Sequence, residues 1–357
     1  MQSLNRIIIA AAGSGKTRRL VDEAVSRPHK RIAIVTFTIN NSEEIKKKFY
    51  ELHGSIPRNV IISTWFSFLL HELVRPYQNF LYDKKRIESI FMVKGRSSTF
   101  SGKNNIEKYY LSQDKNIYTD KISEFAVLCN EKSKNLPINR LSQIYDEIFI
   151  DEVQDLAGYD LDLIEILLRS SIKVLLVGDI RQAVYATNNS PKNKQYRGVN
   201  MSILFKKWEK SKLAVCEYLS KSYRSNQIIC DFADSLYPNL PKTESANINL
   251  TCHDGIFLVT EGRMEHYMSA YFPQILRWDK KTNCKGYYGM NFGEVKGLSF
   301  DRVLIIPTGP IKTYLKTGKI AFGDSSIAKL YVAITRAKHS VAFLYSEECF
   351  WGNAQIY

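Results

Sequence analysis

The chain has 357 residues, enough for two domains of ordinary size, and 45% of it is hydrophobic, as in a folded globular protein. It has no apolar run long enough to span a bilayer and no charged-then-apolar leader ending in small residues, so membrane insertion and secretion are not expected. The formal net charge of +14 and the pI near 9.3 favour a polyanionic partner, most simply nucleic acid.

Cys129, Cys216, Cys230, Cys252, Cys284 and Cys349 are scattered without a C-x-x-C pair, and the six histidines are scattered too. This argues against zinc sites and a disulfide framework, and for a reduced, cytoplasmic protein. The positive charge lies in short clusters such as Lys46-Lys47-Lys48, Lys84-Lys85-Arg86, Lys206-Lys207 and Lys280-Lys281, which suits a folded binding surface better than a disordered arm.

In chain order, Ile7-Ile8-Ile9 reads as a buried strand, and Ala10-Ala11-Ala12-Gly13-Ser14-Gly15-Lys16-Thr17 as a tight turn entering a helix with Leu20, Val21, Ala24 and Val25 on one face. Strand, small-residue loop and helix form a phosphate-binding loop, here with Ala10 where the first glycine usually stands. Backbone N–H groups and the helix N-terminus face phosphates, Lys16 neutralises them, and the Thr17 hydroxyl binds Mg²⁺. The nucleotide cradle is expected to be Ala10, Ala12, Gly13, Ser14, Gly15, Lys16, Thr17 and Arg18, with ATP and Mg²⁺ as cofactors.

A second strand follows at 32–37, a helix around 41–52, a third strand at 60–64 and an apolar helical stretch at 66–74. From about 76 to 140 the pattern loosens into an insertion too long for an ordinary connection. Strands at 147–151 and 173–179 come next. Alternation of buried strands with helices predicts a parallel sheet covered on both faces. The strand Ile148-Phe149-Ile150 ends in Asp151-Glu152, which places two carboxylates at the C-terminal sheet edge, where the phosphate loop also sits. Asp151 suits Mg²⁺ binding through its water shell, and Glu152 suits orientation of the attacking water. A second α/β unit is expected from about Lys212, with a helix over 225–236, strands at 256–260 and 303–306, a helix near 327–337 and a final strand at 341–345. The expected division is 1–211 and 212–357.

With these residues in view, the chain resembles superfamily 1 helicases of the UvrD/Rep type over about residues 7–345. Ala10–Thr17 resembles motif I, Thr36–Ile45 motif Ia, Ser63–Phe68 motif Ib, Asp151–Asp155 motif II and Val177–Tyr185 motif III. Tyr223-Arg224-Ser225 resembles motif IV, Val295–Asp301 motif V and Leu330–Ala337 motif VI. The resemblance implies two RecA-like P-loop NTPase domains with parallel sheets and an ATP cleft between them. It implies that Arg224 and Arg336 reach the γ-phosphate from the second domain, and that Gln154 and Gln182 sense it; Lys16, Glu152, Arg224, Arg336 and Gln182 form the catalytic set. It also implies a single-strand track with Phe37, Thr38, Asn40, Thr64, Trp65, Tyr185 and Lys296 as candidates, either core packing or base stacking being open for Phe37 and Trp65.

The implied activity is ATP-driven 3′–5′ translocation on single-stranded DNA, at or away from a duplex junction. Four departures stand out. Only nine residues precede Ala10, where the family's adenine-reading glutamine lies further upstream, with Gln2 as a substitute. Gly293 and Ser299 replace the usual motif V histidine and glutamate. Tyr196-Arg197-Gly198 follows motif III only after a polar insertion. The interval from Asn226 to about Gly293 is too short for the family's large accessory domain. A compact motor of this kind also resembles the helicase-like subunits of Gabija-type antiphage systems. The alternative expectation is therefore a DNA-sensing ATPase subunit that controls a nuclease partner, with little unwinding of its own.

Overall fold

In the computed structural model, residues 5–357 are described; Gln2 lies outside them. They form two compact units, one of residues 5–9 and Lys16–Tyr218, the other of Ala10–Gly15 and Leu219–Tyr357. The α/β class with two parallel sheets, expected from the alternating pattern, is borne out.

The first sheet has six strands: β1 (Asn5–Ala10), β2 (Ile32–Thr36), β3 (Val60–Thr64), β4 (Glu147–Ile150), β5 (Lys173–Gly178) and β6 (Ala214–Leu219), in the order β3-β2-β4-β5-β1-β6. Central strands β2 and β4 are buried along their whole length, which is why they read as continuous apolar runs rather than as alternation. Edge strand β3 leaves Ile61 half exposed. The helix Ile39–His53 starts where the Thr38 hydroxyl accepts the Asn41 N–H at 3.1 Å and stops at Gly54, whose φ of 74° lies in the left-handed region. The stretch expected as a helix over 66–74 is a short α-helix, Trp65–Phe68, running into a π-helix, Leu69–Val74.

The insertion contributes to the core of this unit. Its helix Ile122–Lys132 is buried on nearly every side and packs against both Leu69–Val74 and the helix Tyr159–Leu168. At that junction the buried Asp160 carboxylate accepts from Trp65 Nε1 (2.7 Å), the Ala157 N–H (3.1 Å), Asn188 Nδ2 (3.3 Å) and the hydroxyls of Ser123 and Thr187. Burial pushes its carboxyl above the usual range, and the donors pull it back. Because every neighbour donates, Asp160→Asn would aim an NH₂ group at other donors. It is expected to lower unfolding stability by about 2–3 kcal/mol, read as a shifted denaturant midpoint; an unshifted midpoint contradicts the role of the carboxylate as a tie.

The second sheet holds β7 (Gly255–Val259), β8 (Gln274–Arg277), β9 (Gly289–Asn291), β10 (Phe300–Ile305), β11 (Ala337–Leu344) and β12 (Ala354–Ile356), in the order β9-β8-β10-β11-β7-β12. On one side of it the rings of Phe257 and Tyr271 sandwich buried His253 with centroids 3.7 Å away on each face, and its Nε2 lies 2.9 Å from the Tyr267 hydroxyl. Burial, then Arg302, lowers its pKa from 6.5 to about 4. A depressed folded pKa means that stability is full above about 6.5 and is lost as pH falls towards 4. Thermal melts of the second unit should show that slope, and His253→Gln should flatten it; an unchanged slope in the variant contradicts the assignment.

Candidate active site

The register of the first sheet sets Ile8 opposite Val177, Ile9 opposite Gly178 and Ile150 opposite Leu176. The C-terminal ends of β4, β5 and β1 are therefore neighbours at one edge. Asp151 leaves β4 there, almost fully buried, with its N–H on the Val35 carbonyl (2.8 Å) and its Oδ1 accepting the Glu152 N–H (2.9 Å). Burial, and then the charge of Glu152, hold the Asp151 carboxyl well above the usual carboxylate range, while the Lys16 ammonium acts the other way. A buried carboxylate in this condition is suited to a cation.

Glu152 adopts φ 53°, ψ 41°, a left-handed conformation that costs a non-glycine residue of order 1–3 kcal/mol and turns the chain sharply after β4. The Gln154 side-chain amide donates to Glu152 Oε2, and Gln154 Oε1 accepts the Asp179 N–H at 3.1 Å. Asp179 Oδ2 in turn accepts from Gln182 Nε2 at 2.8 Å, and its Oδ1 from the Arg181 N–H at 3.1 Å. A single hydrogen-bonded chain thus runs Glu152–Gln154–Asp179–Gln182. Gly178 makes room for it: a Cβ there would stand 2.3 Å from Gln154 Oε1 and 2.9 Å from Val153 Cγ1. Gly178→Ala is expected to push Gln154 off Glu152 and reduce turnover roughly ten- to a hundredfold with little change in melting temperature. Normal turnover in that variant would contradict the relay.

The loop Ala10–Gly15 joins β1 to the helix Lys16–Val25 and groups with the second unit. Gly13 and Gly15 take φ of 75° and 78°, as a phosphate-cradling turn requires. The Ala11 N–H donates to the Leu219 carbonyl (2.8 Å), and the Gly13 carbonyl accepts the Tyr223 N–H (2.9 Å). A Cβ at Gly13 would meet Ser222 Oγ and Arg224 Cβ at 2.7 Å. Ala10 and Ala12 are buried, and the buried Ser14 hydroxyl has no hydrogen-bond partner among the described residues. In the same unit, Arg224 Nη1 donates to the Thr335 carbonyl (3.1 Å). Buried Arg336 donates to Val332 (3.3 Å) and Leu298 (3.1 Å) carbonyls. Two cations at the C-terminal end of the helix Asp324–Ile334 satisfy carbonyls that the helix leaves open. In the loop that groups with the second unit, the unsatisfied Ser14 hydroxyl and the positive-φ glycines suit phosphate oxygens; within the first unit, the raised Asp151 carboxyl and Thr17, half buried at the helix start, are the groups that would hold a divalent cation. Arg18 is exposed and pairs with Asp22 at 3.6 Å.

Phe37, Thr38 and Asn40 follow β2 and Thr64 ends β3, with Thr36 opposite Thr64, so these candidates share the same sheet edge. Phe37 is half buried and edge-on to Phe66 (5.9 Å), and Asn40 is exposed. The Thr38 and Thr64 hydroxyls cap helices, Thr64 accepting the Ser67 N–H at 3.3 Å. Trp65 corrects its candidate role: it is fully buried, its Nε1 is bound to Asp160 and Phe68 lies over its ring at 6.3 Å, so it offers no face to a base. Tyr185 is 41% exposed. Lys296, in the second unit, is half buried. Asp179 and Gly178 were inside the quoted motif III yet outside the expected site; a Gly-Asp pair ending a strand beside the carboxylate strand is the signal that could have found them.

Residues 1–188, more than half of the chain, match the family model described as AAA domain. The chain belongs to the AAA domain family. Among curated relatives of this AAA-domain protein is a probable DNA helicase II homolog from Mycoplasma capricolum subsp. capricolum, 24% identical over 287 residues that cover 65% of this chain and 38% of that one. Among solved structures, the arterivirus nonstructural protein 10 (helicase) aligns over 96% of this chain and 59% of its own, with a TM-score of 0.50 and 15% identity. The chain thus spans less than two thirds of either protein, and the structural likeness is one of fold. The resemblance to UvrD/Rep-type helicases is borne out at the level of family and fold. Among the described residues no helix is long and apolar enough to cross a membrane.

Proposed function

We propose that this AAA-domain chain is an ATP-dependent DNA helicase or translocase that moves 3′ to 5′ on single-stranded DNA, built of two motor domains; the strand Ala214–Leu219 belongs to the first sheet, so the second begins a few residues later than the expected 212. The observation that carries the reading is buried Asp151, with half-buried Glu152 beside it, at the edge where β1 delivers the glycine loop and Lys16. Mg²⁺-ATP, when bound, supplies the transferable phosphoryl group. Glu152 Oε2 takes the proton of the attacking water, with Gln154 holding that carboxylate in place. Lys16, Arg224 and Arg336 neutralise the developing charge, so turnover depends on the second domain. Gln182, at the far end of the relay, passes the state of Glu152 to Tyr185, three residues on. Phe37, Thr38, Asn40, Thr64, Tyr185 and Lys296 line the strand track, with basic and hydroxyl groups on phosphates and rings on bases.

Binding to single-stranded DNA should weaken steeply as salt rises, because each neutralised phosphate releases a counterion. Salt-insensitive binding, or none, would overturn the reading. The second reading, an ATPase subunit that senses DNA and controls a nuclease partner, is favoured by the short interval between Asn226 and Gly293. A strand-displacement assay without partners separates the two: unwinding supports a helicase, and DNA-stimulated hydrolysis without unwinding supports the subunit.

A further inference from the structure

The two oxygens of the Asp160 carboxylate serve different parts of the first unit. Oδ1 accepts from Trp65 Nε1 at 2.7 Å and from the Ser123 hydroxyl. Trp65 directly follows Thr64 at the end of β3, and Ser123 belongs to the insertion helix Ile122–Lys132. Oδ2 accepts from the Ala157 N–H at 3.1 Å, from Asn188 Nδ2 at 3.3 Å and from the Thr187 hydroxyl. Those donors lie in the segment after Glu152 and in the one after Tyr185. Packing alone does not require donors to be sorted by oxygen in this way.

The Oδ2 side continues to the chemistry. The Thr187 hydroxyl accepts the Ala157 N–H (2.9 Å), and the Thr187 N–H donates to the Asp155 carbonyl (2.9 Å). The Asp155 N–H donates in turn to the Glu152 carbonyl (2.9 Å). Thr187 thus pins the far end of the turn Val153–Asp155, which Glu152 opens with its left-handed backbone. A non-glycine residue keeps that conformation only where its surroundings hold it. Gln154 grips the Glu152 side chain, and Thr187 grips the backbone beyond it. Trp65, Ser123, Asp160 and Thr187 are all buried, so none of these groups can exchange its partner for water.

We infer that Asp160 is a positioning residue for Glu152, through which a strand seated against Thr64 governs hydrolysis. A shift at the end of β3 moves Trp65. The planar carboxylate turns as one body, so its Oδ2 moves with its Oδ1, and Thr187 carries the change to the turn that presents Glu152 to the attacking water. The insertion enters the same joint through Ser123, so its helix bears on hydrolysis as well as on the core. The inference rests on the proposed action on DNA.

The test is ATP hydrolysis by the whole chain over a titration of single-stranded oligothymidylate, beside a thermal melt. It reads turnover without strand, turnover at saturation and the strand concentration for half effect. Trp65→Phe keeps a ring and removes the Nε1–H. It should leave turnover without strand and the half-effect concentration unchanged, and cut the stimulation by strand about tenfold. Ser123→Ala removes the other Oδ1 donor and should give the same split, which carries the test if Trp65→Phe does not fold. Thr187→Val should lower turnover without strand roughly tenfold and lose the stimulation too, and Thr187→Ser should restore both. Because both sides act through one carboxylate, Trp65→Phe added to Thr187→Val should cost little more. Wild-type stimulation in folded Trp65→Phe and Ser123→Ala, full turnover in Thr187→Val, or losses that multiply in the double variant would overturn this inference alone. A wild-type chain whose hydrolysis no strand alters would overturn the proposed function as well.

Discussion

Glu152→Gln is expected to cut ATP turnover by at least about a hundredfold, the scale on which a positioned proton acceptor acts. The substitution keeps the size of the side chain and an oxygen that can still accept from the Gln154 amide, so the turn after β4 and the relay to Asp179 should survive. What is lost is the carboxylate that takes a proton. It also removes the like charge beside Asp151, so the Asp151 carboxyl should ionise more readily and nucleotide binding with Mg²⁺ should persist or tighten. Steady-state turnover beside nucleotide affinity and a thermal melt checks this. Normal turnover in a folded variant would remove Glu152 from the chemistry, and the assignment of the whole edge would have to change.

Arg336→Lys is expected to lower turnover about a thousandfold, within the range of arginines that stabilise charge on a transferring phosphoryl group. The change is not conservative here. The guanidinium reaches the carbonyls of Val332 and Leu298 from two of its nitrogens while almost fully buried, and a lysine ammonium cannot fork between them. A drop in melting temperature is therefore expected alongside the loss of activity. Arg224→Ala separates the two effects, because Arg224 is only half buried whereas Arg336 is almost fully buried. It should lose turnover with little loss of stability. Two folded variants with normal hydrolysis would rule out both arginines.

The elements nearest the chemistry were legible because one signal dominated each. The isoleucines of β1, the apolar run of β4 and the glycine loop read the same way at every level, from propensity to motif. The elements that escaped had signals set by their surroundings. The helix Ile122–Lys132 is buried almost all round, so it shows no amphipathic period, and Glu124 and Asn130 inside it look like surface until their partners Lys103 and Asn135 are known. Strands β8, β9 and β12 are three or four residues long and include Gln274, Asn291 and Gln355, too little to register as alternation. Strand β6 carries Cys216 and Glu217 with mixed burial and owes its place to pairing in the first sheet, where the Arg6 guanidinium forks onto Glu217 at 2.6 and 2.8 Å. Trp65 shows the limit for single residues: an aromatic beside a hydroxyl reads equally as a base platform or as core, and only the Asp160 carboxylate decides.

Steady-state ATP hydrolysis by the purified chain, with and without single-stranded DNA, tests the central claim most directly, with double-stranded DNA and single-stranded RNA as comparisons. Hydrolysis that rises strongly with single-stranded DNA is the predicted result. Hydrolysis that no nucleic acid alters would contradict a motor driven along a strand.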